Sequence, residues 1–126
     1  MASWTNDELN KIGKADELEL SSLRGDGTLR SPVTMWVVRI GDGLYVRAVK
    51  GRSGPWFKGT QTRHEGRIQS GGVTKAVAFV DEADPAINDQ IDAAYRKKYG
   101  HYDRQYVDPC VTPAARAATL KLVPQE

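Results

Sequence analysis

The sequence predicts an α+β fold in which about six strands form a mostly antiparallel sheet that curls into a barrel, with helices flanking it. Short runs rich in β-branched and aromatic residues are separated by glycine-rich turns, and helix start signals occur near the beginning, in the middle and near the end of the chain. The alternating strand and helix rhythm and the GxGxxG fingerprint of a dinucleotide-binding sheet are both missing. We therefore expect antiparallel pairing rather than a parallel sheet.

Length and composition limit the number of domains and the class of partner. With 126 residues the chain is long enough for one core and too short for two ordinary domains, so we treat 1–126 as a single domain. Its 18 basic and 16 acidic side chains nearly cancel to a formal charge of +2, which argues against a dedicated nucleic-acid-binding protein. One cysteine, no secretory leader pattern and no apolar run of about 20 residues lead us to expect a cytoplasmic protein that does not enter a membrane.

The first helix is predicted from a capping box. Thr5 followed by Glu8 allows the hydroxyl and the carboxylate each to accept a free backbone N–H, so a helix should begin near Asn6. It should bury Leu9 and Ile12 and end by about residue 17. The alternating segment LELSSLR then predicts a strand, and RGDGT a turn.

A hairpin is predicted for the next two β-rich runs, 32–40 and 44–50. If the three residues GDG at 41–43 form the loop, Ile40 lies opposite Leu44, and the pairs Val38 with Val46 and Trp36 with Ala48 follow on the same apolar face. A two-residue Asp42-Gly43 turn would set Val38 opposite Arg47 and mix the faces. We therefore favour the three-residue loop.

The remaining elements follow from local signals. Pro55 after Ser53-Gly54 indicates a helix of one or two turns, shortened by Gly59. GRIQSGG and VTKAVAFV predict two strands joined at residues 71–72, and TLKLVP predicts the last strand. Asp84-Pro85 begins the clearest helix and Thr112-Pro113 a shorter one. The apolar stripe of the clear helix and its stop are Ile87, Ile91, Ala94, Tyr95 and Gly100.

The segment RAVKGRSGPWF is the best candidate for a ligand site. It combines three cations, small residues whose backbone N–H groups can converge on an anion, and an aromatic pair at a predicted helix start. A phosphorylated aromatic cofactor suits that combination. The alternative is that the cations are exposed strand ends, the glycines form a turn and Trp56 belongs to the core. The candidate cofactor-binding residues are Arg47, Lys50, Gly51, Arg52, Ser53, Gly54 and Trp56.

Other residues are weaker candidates for a substrate pocket. Tyr45 shares a strand face with Arg47, and that face is either wet or buried against a second subunit, which makes a homodimer a prediction. His64 and His101 lack partners at metal-ligand spacing, so no metal site is expected, and Cys110 lacks the context of a nucleophile. Core packing is the simpler account of the clustered tyrosines, although a hydroxyl at a pocket mouth could position a ligand. The substrate-binding candidates are Trp36, Tyr45, Phe57, His64 and Tyr99.

The segments WVVRIGDGLYVRAVKG, PWF, GRIQSGG, VAFV, AAYRKKYG and ATLKLVP resemble an uncharacterised bacterial domain family of roughly this length. That family is similar to the split β-barrel proteins that bind flavin mononucleotide or a deazaflavin coenzyme. The resemblance to the deazaflavin-dependent nitroreductases implies that residues 50–54 form the phosphate loop and that Trp56 is the aromatic neighbour. The resemblance to pyridoxamine-phosphate-oxidase-like barrels implies that Arg47 and Lys50 hold the flavin phosphate.

Two functions are therefore expected from the sequence. The first is an oxidoreductase or binding protein with a groove for flavin mononucleotide or a deazaflavin, in which the hydride chemistry belongs to the cofactor. The alternative is a cofactor-free split barrel that binds a small ligand or catalyses a non-redox reaction, with a histidine beside a carboxylate in a closed cavity. A barrel that binds nucleic acid fits the basic loop but not the charge balance. The sequence leaves open whether the protein is an enzyme.

Overall fold

The computed structural model describes residues 3–125, and within them seven strands form one antiparallel sheet in the order β2-β1-β5-β6-β7-β4-β3. The strands are β1 Leu18–Ser22, β2 Val33–Met35, β3 Val38–Ile40, β4 Gly43–Arg47, β5 Glu65–Ser70, β6 Val73–Asp81 and β7 Thr119–Pro124. The helices are α1 Asn6–Lys14, α2 Pro55–Arg63, α3 Pro85–Tyr99, α4 Arg104–Val107 and α5 Pro113–Ala117, with 3-10 turns at Gly51–Ser53 and Asp108–Val111.

Elements with a local start signal form where the sequence predicts them. The Thr5 hydroxyl accepts the Glu8 N–H at 3.1 Å and the Glu8 carboxylate accepts the Thr5 N–H at 2.9 Å, which confirms the capping box. The β5–β6 turn is Gly71-Gly72, with φ values of +57° and +84° that L side chains rarely adopt. Helix α2 is longer than expected, and Gly59 lies inside it instead of ending it. Glycine is needed at this position, since a Cβ there would lie 2.8 Å from the Ser22 Oγ.

The predicted hairpin register is wrong. The loop is the two residues Gly41-Asp42, so Val38 pairs with Tyr45 and Ile40 with Gly43. Gly41 has a φ of +58° while Asp42 does not have a positive φ, as in a type II′ hairpin turn. The predicted register kept Tyr45 and Arg47 on a face apart from the apolar one, but all five β4 residues are buried. A strand covered on both faces has no polar face from which its register can be predicted.

The run 32–40 is not one strand, and this raises the strand count from about six to seven. Its first half, β2, pairs with β1, and its second half, β3, pairs with β4. These two strands are the opposite edges of the sheet, so Trp36 and Val37 connect one edge to the other. The curled sheet is thus closed by the covalent chain and not by a ladder of hydrogen bonds between its edges.

The backbone of Val37 lies in this gap, where it has no partner strand, and α3 supplies the missing hydrogen bonds. The Tyr99 hydroxyl accepts the Val37 N–H at 3.1 Å and lies 3.0 Å from the Val37 carbonyl. The Lys98 ammonium donates to that carbonyl at 2.7 Å. The Tyr99 hydroxyl also donates to the Asp16 carbonyl at 2.7 Å. A fully buried backbone group is satisfied in this way by side chains.

Two hydrophobic clusters lie on opposite faces of the sheet. The larger one fills the inside of the curl and includes Leu9, Ile12 and Phe57. The second lies between β3–β4 and α3, where Tyr45 packs with Ile91 and other buried side chains. The face of Tyr45 and Arg47 is therefore neither wet nor dependent on a second subunit, because α3 of the same chain covers it. The stripe of α3 is confirmed, with Ile91 and Tyr95 buried.

The Tyr99 hydroxyl yields the first prediction. The substitution Tyr99→Phe keeps the ring but leaves the buried Val37 N–H without a partner, and it should lower the free energy of unfolding by about 1–3 kcal/mol. Tyr102→Phe is the matched control, because the Tyr102 hydroxyl bonds only the exposed Asp16 carboxylate; its loss should be about 0.5 kcal/mol or less. Urea denaturation of both variants measures the difference. Equal losses would contradict the assigned role.

Candidate ligand-binding groove

A cavity of about 350 Å³ opens where β2, β4, α2 and α3 end or begin next to one another. Its walls are mainly apolar and aromatic, which is usual for a small-molecule site. Among the sequence candidates, the structure brings Trp36, Arg47 and Trp56 together in this groove. The lining residues that the sequence reasoning did not place in a site are Glu17, Thr34, Met35, Val49, Tyr95, Tyr106 and Cys110.

Trp36 is a fixed wall of the groove. Its ring is stacked on Tyr99 with a centroid separation of 3.9 Å and an interplanar angle of 1°. Tyr99 is itself hydrogen-bonded to the Val37 backbone in the gap between the sheet edges. This hydrogen bond therefore also orients the indole that is stacked on Tyr99. Trp56 lines the same groove from the first turn of α2, where its ring meets the edge of Phe57. Two indole rings therefore border one cavity, which suits a flat aromatic ligand.

Arg47 lies in the wall of the groove, but its guanidinium is hydrogen-bonded to other groups of the same chain. The side chain is fully buried, with an exposed fraction of 0%. Its Nε donates to the Thr119 hydroxyl at 2.9 Å, and Nη1 donates to the Cys110 carbonyl at 2.9 Å and to the Asp92 carboxylate. Nη2 donates to the Asn88 carbonyl at 3.1 Å and to the Asn88 side-chain oxygen at 2.8 Å. These contacts use all five N–H donors of an arginine, so none is left for a phosphate.

The Arg47 contacts link β4 to α3, β7 and the turn at 108–111. Asp92 is shared with Arg116, whose Nη1 lies 2.5 Å from the second carboxylate oxygen. The buried cation is therefore neutralised within the chain. Burial raises the pKa of the Cys110 thiol to about 11, so the groove presents a neutral thiol at this point and not a thiolate.

The predicted basic loop does not converge on the groove. Lys50 is exposed, and Arg52 turns to another side of the molecule, where it meets Asp81 at 3.3 Å and lies over the Phe57 ring. The N–H groups of Gly51 and Gly54 are bonded to the carbonyls of Ala48 and Gly51 at 2.9 and 3.1 Å. Ser53 is exposed, with its hydroxyl 3.5 Å from the Lys50 carbonyl. The three cations of this segment thus have different surroundings: Arg47 is buried, Arg52 pairs with Asp81, and Lys50 is exposed.

The other substrate candidates lie outside the groove lining. Tyr45 is in the second cluster, where burial raises the pKa of its hydroxyl, and Phe57 is in the inner core. His64 is exposed at the end of α2 with a φ of +56°, and its Nε2 lies 3.2 Å from the Gln61 side-chain oxygen. Tyr99 lies behind Trp36, and burial raises the pKa of its hydroxyl. Within residues 3–125 no three metal-ligating side chains come together.

Residues 8–122 match the DUF2255 family, which is described as uncharacterised proteins conserved in bacteria. The chain belongs to this family. Comparison with the curated proteins finds no significant match. No helix among residues 3–125 combines the length and the apolar character needed to cross a membrane.

The solved structures to which this chain is similar include proteins named for pyridoxamine 5′-phosphate oxidation, FAD binding, F420 reduction and heme storage. A Listeria innocua protein assigned as a pyridoxamine 5′-phosphate oxidase has a TM-score of 0.69 at 17% identity, with 96% of this chain and 93% of that one covered. An FAD-binding protein from Mesorhizobium loti has a TM-score of 0.65 at 14% identity, with coverages of 98% and 92%. An F420 reductase has a TM-score of 0.55 at 17% identity, with coverages of 94% and 93%. At these identities the likeness establishes the fold.

The Arg47 network yields the second prediction. Arg47→Lys cannot replace five planar donors, so Asn88, Thr119 and the Asp92 carboxylate lose partners, and the free energy of unfolding should fall by about 2 kcal/mol or more. Arg52→Lys is the control, because the Arg52 pair with Asp81 is exposed, and its loss should be below about 1 kcal/mol. Thermal and urea denaturation report both values. If Arg47→Lys leaves the free energy of unfolding unchanged, the hydrogen bonds of Arg47 do not contribute to stability as assigned.

Proposed function

We propose that the groove between Trp36 and Trp56 binds the ring system of flavin mononucleotide or a deazaflavin and that the protein is an oxidoreductase using that cofactor. The observation that carries the proposal is a cavity of about 350 Å³ bordered by two indole rings, one of them held rigid by stacking. The fold shared with FAD-binding and F420-dependent proteins supports it. The bound ring would supply the hydride chemistry, and the chain would orient it and shield it from water.

The cofactor phosphate would be bound by Lys50 at the rim. Arg47 has no donor left, Arg52 faces away, and the N–H groups of Gly51 and Gly54 are already bonded. Lys50 follows Val49, which lines the groove, and it precedes α2, whose first turn carries Trp56. Among the described residues Lys50 makes no ion pair through its ammonium group. Among the cations predicted from the sequence, its exposure and its position next to Val49 support Lys50 as the phosphate ligand of this proposal.

A cofactor-free small-ligand protein is the second candidate. The saturated guanidinium of Arg47 favours it, since a buried arginine with five internal partners looks like a packing element. The histidine form of this candidate gains no support, because His64 and His101 are exposed and line no part of the groove. The remaining form is a binding groove in which Trp36 and Trp56 enclose a neutral aromatic ligand.

Titration of the purified protein with flavin mononucleotide, riboflavin and a phosphorylated deazaflavin tests the proposal. Binding should quench tryptophan fluorescence and raise the melting temperature, and Trp56→Leu should weaken all three ligands. Lys50→Ala should weaken flavin mononucleotide about tenfold or more but leave riboflavin unchanged, because only the former carries a phosphate. Lys58→Ala, an exposed lysine in the same helix as Trp56, is the control. If no flavin binds, the cofactor-free candidate stands.

The homodimer stays a prediction, with a defined surface. The face of β6 and β7 that turns away from the inner core carries Ala76, Ala78, Val80 and Val123, and no helix of the described chain covers Ala76 or Val80. If two copies pair there, light scattering should give twice the chain mass, and Ala76→Arg should return the protein to a monomer. Asp42→Arg, in the exposed hairpin turn, should leave the mass unchanged. A monomeric wild-type protein would refute the dimer.

A further inference from the structure

A second open pocket of about 430 Å³ adjoins the groove. Three aromatic rings and two carboxylates line it, and the five residues are Asp16, Glu17, Trp36, Tyr102 and Tyr106. Glu17, Trp36 and Tyr106 also line the groove itself, so the two spaces share a wall. No lysine or arginine contributes to the lining of this pocket. We refer to it as the acidic aromatic pocket.

The rings of the acidic aromatic pocket are partly held in place. Trp36 is stacked on Tyr99, and the Tyr102 ring lies 5.3 Å from Trp36 between centroids, at an interplanar angle of 27°. The Tyr102 hydroxyl donates to the Asp16 carboxylate at 2.7 Å, which orients both groups at the rim. Tyr106 is 59% exposed, so a large aromatic face is left uncovered. Exposed aromatic faces beside a cavity are typical of ligand contacts rather than of core packing.

The carboxylates of Asp16 and Glu17 make the lining of this pocket negative. Neither Asp16 nor Glu17 forms an ion pair with another described residue. Burial lowers the pKa of Lys98 to about 8 while the charge of Asp16 opposes that shift, and its ammonium donates to the Val37 carbonyl and lies over the Tyr99 ring at 5.1 Å, outside the pocket lining. The hydrogen bond to Asp16, together with the charges of Asp16 and Glu17, raises the pKa of Tyr102. Both carboxylates therefore act on the space that the rings enclose.

We propose that the acidic aromatic pocket binds an organic cation, that is, a quaternary or protonated amine. Aromatic faces attract a cation within about 6 Å of the ring centroid through the ring quadrupole, and recognition of ammonium groups by several rings is a known use of this attraction. The two carboxylates add a Coulombic attraction that a neutral or anionic ligand does not receive. The inference goes beyond the flavin proposal and does not need it, because the pocket uses Tyr102 and Asp16, which are outside the groove lining.

Titration of the flavin-free protein with choline, followed by ¹H–¹⁵N NMR, tests this inference. The chain has three tryptophans, so its indole N–H signals can be assigned to Trp4, Trp36 and Trp56 by substitution. Choline should shift the Trp36 signal and leave that of the buried Trp4 in place. The uncharged isostere 3,3-dimethyl-1-butanol should bind at least about threefold more weakly. Equal affinities for the two compounds, or no shift of the Trp36 signal, would overturn the proposal.

Two variants locate the binding site. Glu17→Gln and Tyr106→Leu should each weaken choline about threefold, because the first removes a carboxylate and the second removes a π face while keeping an apolar side chain. Glu19→Gln is the matched control, since Glu19 is an exposed carboxylate two positions further on and lies outside this pocket. Choline affinities unchanged in both variants would overturn the assignment. Because Glu17 and Tyr106 also line the groove, a third variant keeps the result separate from the flavin proposal: Asp16→Asn alters a carboxylate of the pocket alone, so it should weaken choline and leave the affinity for flavin mononucleotide unchanged.

Discussion

The rest of the structure depends on the hydrogen bonds between the Tyr99 hydroxyl and the backbone of Val37. The sheet has two edges, and both belong to one short stretch of chain, so Trp36 and the buried Val37 between them have no strand partner. Tyr99 satisfies the Val37 backbone and at the same time joins it to the carbonyl of Asp16. Because Tyr99 is the last residue of α3, the same contact positions that helix across β3 and β4. Because Trp36 is stacked on Tyr99, the hydrogen bonds of Tyr99 also fix the position of the indole ring that forms a wall of the groove.

Arg47 is a second side chain whose hydrogen bonds hold α3 on the sheet. Its burial changes the role that its charge can have. In the sequence it belongs to a run of cations beside small residues, a pattern that favours phosphate binding. In the fold it ends strand β4, which is covered on both faces and lies under α3, where a guanidinium must find five acceptors inside the protein. Asp92 and Asn88 of α3 supply part of that set. A phosphate there would have to displace hydrogen bonds that hold the helix on the sheet, so an anion is better met by the exposed Lys50.

Local sequence signals predicted most of the helices and strands correctly. The strand register and the surroundings of the charged side chains depend on long-range contacts, which local signals do not contain. The capping box of Thr5, the proline starts of α2, α3 and α5, and the Gly71-Gly72 turn are all encoded within a few residues and form as predicted. The hairpin register and the break at Trp36–Val37 depend on α3, which contacts these segments across 41 to 62 residues of sequence. Since α3 covers one face of β4 and the inner core covers the other, no polar alternation remained from which to predict the register. The direction of each cation in the segment 47–52 depended on the same missing information.

Trp36 is shared by the groove and the acidic aromatic pocket, and its rigidity bears on both. A side chain that is already fixed loses little rotamer freedom when a ligand arrives, so the stack on Tyr99 removes part of the entropic cost of binding. Tyr106 differs, because it is largely exposed and stands on the short helix α4. A ligand in either space would therefore meet one preorganised ring and one adaptable ring. Tyr106 lines both spaces, so a ligand that ordered it on one side would also change the wall of the other.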